Sequence, residues 1–85
     1  MDLVFTKSAS RHGVSNARAQ YVITYHVWVF DVGGGMTLYV GPDRKGVDLE
    51  IGTVRGRTGG TYVIHAMRLR PQFVDEYRSR LPWKR

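Results

Sequence analysis

Three turn sequences divide residues 27–67 into four apolar runs, and this division constrains the fold more than any other feature. The turns "DVGGGM", "PDRKG" and "GRTGG" contain the glycine, proline and aspartate that tight turns need. In "VDLEIGTVR", Leu49 and Ile51 alternate with Asp48 and Glu50, so that apolar and polar side chains fall on opposite faces. The pattern predicts four consecutive strands joined as an antiparallel meander.

Two helices are predicted before the meander. "LVFT" is a short strand candidate, and "TKSASRHG" predicts a helix of one to two turns with Thr6 as its N-cap. Ser15 is a second N-cap candidate, and the apolar spacing after it predicts a helix that ends near Tyr25 or His26. Because "YVITYHVWVF" is rich in β-branched and aromatic residues, we expect a strand to begin at Val27.

A last helix is predicted for "PQFVDEYRSRL", which Pro71 can open because its missing N–H does no harm in a first turn. The chain is therefore predicted to be one α+β domain over residues 1–85. It has a small antiparallel meander of about four to five strands, two N-terminal helices and a C-terminal helix. We expect the helices to cover one face of this sheet and to leave the other face free for function.

The formal net charge of +6 on 85 residues indicates a polyanionic partner. Six of the thirteen Lys and Arg residues lie in the C-terminal part of the chain: Arg68, Arg70, Arg78, Arg80, Lys84 and Arg85. There is no cysteine, and no apolar run approaches the ~20 residues that span a bilayer, so we expect a cytoplasmic protein without a membrane partner. Trp83, in the basic tail, is the aromatic residue that we expect at a partner interface.

The residue inventory excludes several kinds of site. The three histidines form no HExxH motif and no pair at metal-ligand spacing, so neither a metal nor a cofactor is expected. "GGG" lacks the pattern of a nucleotide-binding P-loop. What remains suits RNA cleavage without a metal, which needs a base for the 2′-hydroxyl, an acid for the leaving oxygen and cations on the phosphate.

The candidate catalytic residues are His65, Glu50 and Arg68, and the candidate phosphate-binding residues include Arg70, Arg55 and Arg57. The imidazole of His65 can act as either a base or an acid, Glu50 is a carboxylate in an apolar strand, and arginine forks match phosphate oxygens. Each also has an ordinary structural explanation: a surface histidine, a carboxylate on a wet strand face, or arginines paired with acidic residues of the last helix.

Strand register decides whether two of these residues can act together. If Glu50 pairs with Ala66, then His65 lies on the opposite face of the sheet. If Glu50 pairs with His65 or Met67, both side chains lie on one face. The sequence leaves this choice open.

Three segments in order resemble the BrnT group of type II toxins, in the RelE superfamily, and in particular its short actinobacterial-type relatives. They are "RHGVSNARA", "LYVGPDRKGVDLEIGTV" and "VIHAMRLRPQF", and together they extend over nearly the whole chain. The chain departs from BrnT proper at the end of the last strand. There it has His65-Ala66-Met67 in place of Ser-Ala-Arg, and the arginine follows one position later as Arg68.

The resemblance implies a RelE-like fold, RNA cleavage without a metal, and a cognate antitoxin that neutralises the toxin. It also implies that His12 corresponds to the histidine at the family's helix start, and we add His12, Lys7 and Arg11 to the candidate RNA-binding residues. A homodimer and a toxin–antitoxin heterotetramer are both compatible with it. Two alternatives stay open: a gyrase inhibitor like ParE, and a module that binds an antitoxin without catalysis.

Overall fold

The computed structural model describes residues 2–82 of the chain. In chain order the elements are strand β1 (Leu3–Phe5), a 3₁₀ helix (Lys7–Ser10), helix α1 (Asn16–Tyr25), strands β2 (Trp28–Gly33), β3 (Met36–Pro42), β4 (Asp48–Arg55) and β5 (Thr61–Arg68), and helix α2 (Pro71–Ser79). The predicted order of elements is therefore present, although the first predicted helix is a single 3₁₀ segment.

The five strands form one mixed sheet in the order β1-β5-β4-β3-β2. Strands β2 to β5 pair antiparallel with their neighbours, as predicted. The prediction of a purely antiparallel meander is wrong at one edge, because β1 pairs parallel to β5, with Leu3 opposite Thr61. The fold is therefore α+β, as predicted, but its five-stranded sheet is mixed and not purely antiparallel.

Local sequence signals account for the helix boundaries. The side chain of Ser15 accepts a hydrogen bond from the backbone N–H of Arg18 and so caps α1. Pro71 occupies the first turn of α2, as expected. Thr6 does not cap the 3₁₀ helix with its side chain; its hydroxyl donates instead to the carbonyl of Val63 in β5.

Helices pack on both faces of the sheet, so the expectation of one covered face and one free face is wrong. On the α1 face, Leu49, Ile51 and Ala66 pack with Val22 and Ile23 of α1. On the other face, the α2 face, Leu38 and Val40 pack with Trp28, Tyr77 and Leu81. Because side chains alternate between the two faces along each strand, the strands contribute residues to two separate apolar clusters.

A β-bulge in β5 changes which residues share a face. Gly52 pairs with His65 and Thr53 pairs with Val63, so Ile64 is an extra residue between them. Val63 and Ala66 both lie in the cluster on the α1 face. His65 lies on the α2 face with Gly52, although an unbroken strand would have placed it on the same face as Val63.

The 3₁₀ helix stabilises this bulge. Ser8 donates its hydroxyl to the carbonyl of Ile64 at 2.9 Å, and Thr6 donates both its backbone N–H and its hydroxyl to the carbonyl of Val63. These bonds satisfy backbone groups that an irregular strand would otherwise leave without a partner.

Among the helices of residues 2–82, none has the length and apolarity to cross a lipid bilayer.

Candidate active site

Glu50 lies at the centre of a charged cluster on the α2 face and is 0% exposed to solvent. Its Oε1 accepts hydrogen bonds from His65 Nε2 at 2.8 Å and from Arg70 Nε at 2.7 Å. Arg70 Nη2 lies 2.6 Å from the same oxygen, and Oε2 accepts the backbone N–H of Arg70 at 2.9 Å. Both carboxylate oxygens are therefore bonded within the protein.

Register brings Glu50 and His65 together. Glu50 pairs with Met67, and Gly52 pairs with His65. This is one of the two registers that place Glu50 and His65 on the same face of the sheet. His65 and Glu50 are thus diagonal neighbours across two adjacent strands. The register, which the sequence left open, therefore allows the side chains of His65 and Glu50 to be in contact.

The environment keeps Glu50 ionised. Burial acts to raise the pKa of this carboxyl, but the hydrogen bonds from His65 and Arg70 and the charge of Arg70 outweigh it, and the pKa is lowered from 4.5. A buried carboxylate with two cationic or polar neighbours is thus a fixed acceptor. It is too enclosed to contact a large substrate itself.

His65 presents one ring nitrogen to the carboxylate and the other away from it. Because an ionised carboxylate only accepts hydrogen bonds, Nε2 of His65 carries a proton. Neutral His65 therefore has its free lone pair on Nδ1, and the side chain is 21% exposed. A buried carboxylate that fixes the tautomer of a partly exposed imidazole is the arrangement that a general base requires.

Arg70 lies just beyond β5, at the N-cap of α2, and is held from two sides. Its Nε and Nη2 face Glu50, and its guanidinium lies over the ring of Phe73, 5.3 Å from the centroid. The side chain is 36% exposed, and Nη1 is directed to neither oxygen of Glu50 in these bonds. Arg70 can therefore offer N–H groups to an anion while it remains bound to Glu50.

Gly52 makes room for His65. A methyl group on Gly52 would lie 2.6 Å from Met36 Sδ and 3.0 Å from His65 Cβ. The strand thus needs glycine directly opposite the imidazole, where the half-buried Met36 also packs.

The structure does not bring the other predicted residues into this cluster. Arg68 is exposed and pairs with Leu49, so its position is on the α1 face, opposite His65. Arg68 follows His65 by three residues in a regular part of the strand, so alternation puts the two on opposite faces and the structure does not bring Arg68 into the Glu50 cluster. Arg70, predicted to bind phosphate, is the arginine that contacts Glu50.

The remaining candidates are dispersed. Arg55 and Arg57 lie exposed at the β4–β5 hairpin. Lys7, Arg11 and His12 are exposed on and after the 3₁₀ helix, which contributes Ala9 to the cluster on the α1 face. They are therefore on the side of the sheet opposite His65. Trp83, expected at a partner interface, lies outside the described residues.

Sequence reasoning overlooked Tyr62. It pairs with Val54 and, because of the bulge, is the neighbour of His65 on the α2 face of β5. Tyr62 comes three residues before His65, a spacing that an unbroken strand would assign to opposite faces. Only knowledge of the bulge reveals that the two side chains share a face.

A second basic feature lies on the opposite side of the molecule, between α1 and the β3–β4 turn. This α1 groove has a volume of about 410 Å³ and is lined by Ala17, Arg18, Tyr21, Asp43, Arg44, Lys45 and Val47. Asp43 holds the turn together by accepting the backbone N–H groups of Lys45 and Val47 and the Nε of Arg18. Arg44 lies over the ring of Tyr21, 4.7 Å from its centroid.

Comparison of the chain with protein-family models, with curated proteins and with solved structures found no significant match. Among residues 2–82, no group of three or more His, Cys, Asp and Glu side chains is arranged to hold a metal ion.

Proposed function

We propose that this protein is the toxin of a type II toxin–antitoxin system and cleaves RNA without a metal ion, as its resemblance to BrnT implies. The observation that carries the proposal is the contact of Glu50 with both His65 and Arg70 on an accessible part of the α2 face. Through these contacts Glu50 holds the imidazole of His65 and the guanidinium of Arg70 side by side.

In the proposed reaction, Nδ1 of His65 takes the proton of a ribose 2′-hydroxyl. The 2′-oxygen attacks the adjacent phosphorus, the bond to the 5′-oxygen breaks, and the leaving oxygen takes a proton from water. Arg70 binds the phosphate oxygens as negative charge accumulates on them. Glu50 is a positioning residue in this scheme, because it is buried and holds the other two groups.

The test uses purified protein and RNA, free and ribosome-bound, in the presence of EDTA. We expect His65→Ala to lower the cleavage rate by at least about 100-fold, which is the usual contribution of general acid–base catalysis. His12→Ala is the matched control, since His12 is exposed on the other side of the sheet and should leave the rate unchanged. Wild-type protein that leaves both forms of RNA intact would contradict the proposal.

One observation favours a second candidate function, a module that binds an acidic antitoxin without catalysis. The α1 groove combines Arg44 and Lys45 with an apolar floor of Ala17, Tyr21 and Val47, which suits a peptide with acidic and aliphatic side chains. If this function is the correct one, Arg44→Glu with Lys45→Glu abolishes antitoxin binding, and expression without the antitoxin leaves transcripts intact and growth normal.

A further inference from the structure

Tyr62 has a position on the α2 face that core packing does not explain. It is half-buried, and it belongs to neither of the two apolar clusters formed by the described residues. Within residues 2–82 its ring also pairs with no other aromatic side chain, whereas Trp28 stacks on Phe30 with centroids 4.1 Å apart. A large aromatic side chain outside the core and beside a candidate catalytic histidine is a candidate binding residue.

The β4–β5 hairpin supports the Tyr62 ring from one side. A methyl group on Gly56 would overlap the Cε1 and Cδ1 atoms of Tyr62, so the ring lies directly against glycine backbone. A methyl group on Gly60 would be in ordinary contact with Cε1, at 3.9 Å. Glycine at position 56 therefore lets the ring lie against the turn end of the hairpin, on the same face of β5 as His65.

Cations lie on both sides of this ring along the chain. Arg57 is exposed in the turn of the same hairpin, and Arg70 lies beyond His65 next to Glu50. Alternating aromatic and guanidinium groups are typical of proteins that bind single-stranded nucleic acid, in which bases stack on rings and phosphates contact cations.

We infer that Tyr62 is a stacking platform for one base of a single-stranded RNA, placed next to the phosphate that His65 and Arg70 act on. This inference rests on the proposed function and specifies its substrate as unpaired RNA. In a duplex the faces of each base are covered by neighbouring pairs, so a ring fixed on a sheet cannot stack on them. The ring itself carries no base-specific hydrogen-bond pattern, so the platform accepts any base.

The test measures binding separately from cleavage. A single-stranded oligonucleotide with 2′-O-methyl groups lacks the attacking hydroxyl, so its affinity is measured by fluorescence anisotropy without turnover. We expect Tyr62→Ala to weaken binding about tenfold, and Tyr62→Phe, which keeps the ring, to stay within about twofold of wild type. Tyr25→Ala is the matched control, because Tyr25 is 64% exposed on α1 and lies far along the chain from this hairpin. Circular dichroism confirms that each variant is folded.

A second probe identifies the stacked base. In a series of the same oligonucleotide with one base removed at each position in turn, one abasic probe should bind wild type about tenfold more weakly and should show no further loss with Tyr62→Ala. The inference is overturned if Tyr62→Ala binds like wild type, if Tyr25→Ala weakens binding equally, if a duplex competes as well as the single strand, or if only an acidic peptide binds this face.

The outcomes for the two proposals are separable. If binding depends on Tyr62 but unmodified RNA stays intact, the platform is supported and catalysis is not. If RNA is cleaved in a His65-dependent manner while Tyr62→Ala binds normally, cleavage is supported and the platform is refuted.

Discussion

Glu50 shows how one buried residue can define a site. A carboxylate that is 0% exposed costs folding free energy unless its charge is compensated, and here His65 and both the side chain and the backbone of Arg70 compensate it. The same bonds fix the imidazole tautomer and the guanidinium plane. Stability and the proposed chemistry therefore depend on the same contacts.

At the residue scale we predict that Arg70→Ala destabilises the protein by about 2–3 kcal/mol, because it removes the guanidinium from a buried carboxylate. The partial exposure of Arg70 keeps the effect below that of a fully enclosed pair. The measurement is the free energy of unfolding in urea at neutral pH.

Arg68→Ala is the control for this change. Arg68 is exposed, so its loss should alter the unfolding free energy by less than about 0.5 kcal/mol. Equal effects of the two substitutions would mean that the charge of the region, rather than the bonds to Glu50, stabilises the fold.

At the scale of elements, the bulge in β5 is the feature that assembles the site. It lets Val63 and Ala66 enter one apolar cluster while His65 and Tyr62 lie on the other face. The carbonyl of Ile64 is satisfied by Ser8, so the 3₁₀ helix on the α1 face supports a site on the α2 face.

We predict that Gly52→Ala displaces His65 from Glu50, because the new methyl group would press on both His65 Cβ and Met36 Sδ. The loss of stability should be about 1–3 kcal/mol, as for other overpacked positions. The chemical shifts of the His65 imidazole report the displacement directly.

Gly60→Ala serves as the matched glycine control. Gly60 has no positive φ, and the nearest atom to a methyl group there is Tyr62 Cε1 at 3.9 Å. The His65 signals should stay where they are in wild type. A shift of equal size in both variants would show that the close approach at Gly52 does not control the imidazole.

The elements with local signals were predictable and the long-range ones were not. Ser15, Pro71 and the glycine turns mark boundaries that the structure reproduces within a few residues. Nothing in the sequence near Leu3 indicates that this strand pairs with the strand at Thr61. Isoleucine, which occupies position 64, is not a residue type that indicates a bulge. Because the alternation breaks at Ile64, the sequence could not show that Tyr62 and His65 share a face.

For the molecule as a whole, the positive charge is more widely distributed than the sequence suggested. Of the described basic residues, Arg70 contacts Glu50, Arg44 and Lys45 line the α1 groove, and Arg80 bonds Glu76 on α2. The basic side chains of the described residues are therefore spread over several surfaces. Long-range attraction of polyanions depends on the net charge of the protein and does not need the charges to be gathered in one place.

At this scale we predict a loss of stability in acid. The folded pKa of Glu50 is below its ordinary value of 4.5, so its contribution is fully present above that pH and is lost as the pH falls through the folded pKa. Asp43 acts in the same direction, because backbone hydrogen bonds from Val47 and Lys45 and the contact with Arg18 lower its pKa despite burial.

Glu50→Gln tests this contribution. At neutral pH the variant should be less stable than wild type by about 2 kcal/mol, and the two unfolding free energies should converge as the pH falls below 4.5 and through the folded pKa of Glu50. Glu76→Gln, at an exposed position on α2, should follow the wild-type curve throughout. A constant difference between wild type and Glu50→Gln at every pH would contradict the assignment.

The parallel pairing of Leu3 with Thr61 joins two strands that are synthesised at different times. Leu3–Phe5 are synthesised early, but their partner strand is made only some sixty residues later. Such separation raises the contact order and slows folding. Since His65 and Arg70 both follow β4, a chain synthesised only as far as β4 contains Glu50 without either of its two partners, and the cluster assembles only after β5 and the start of α2 have been made.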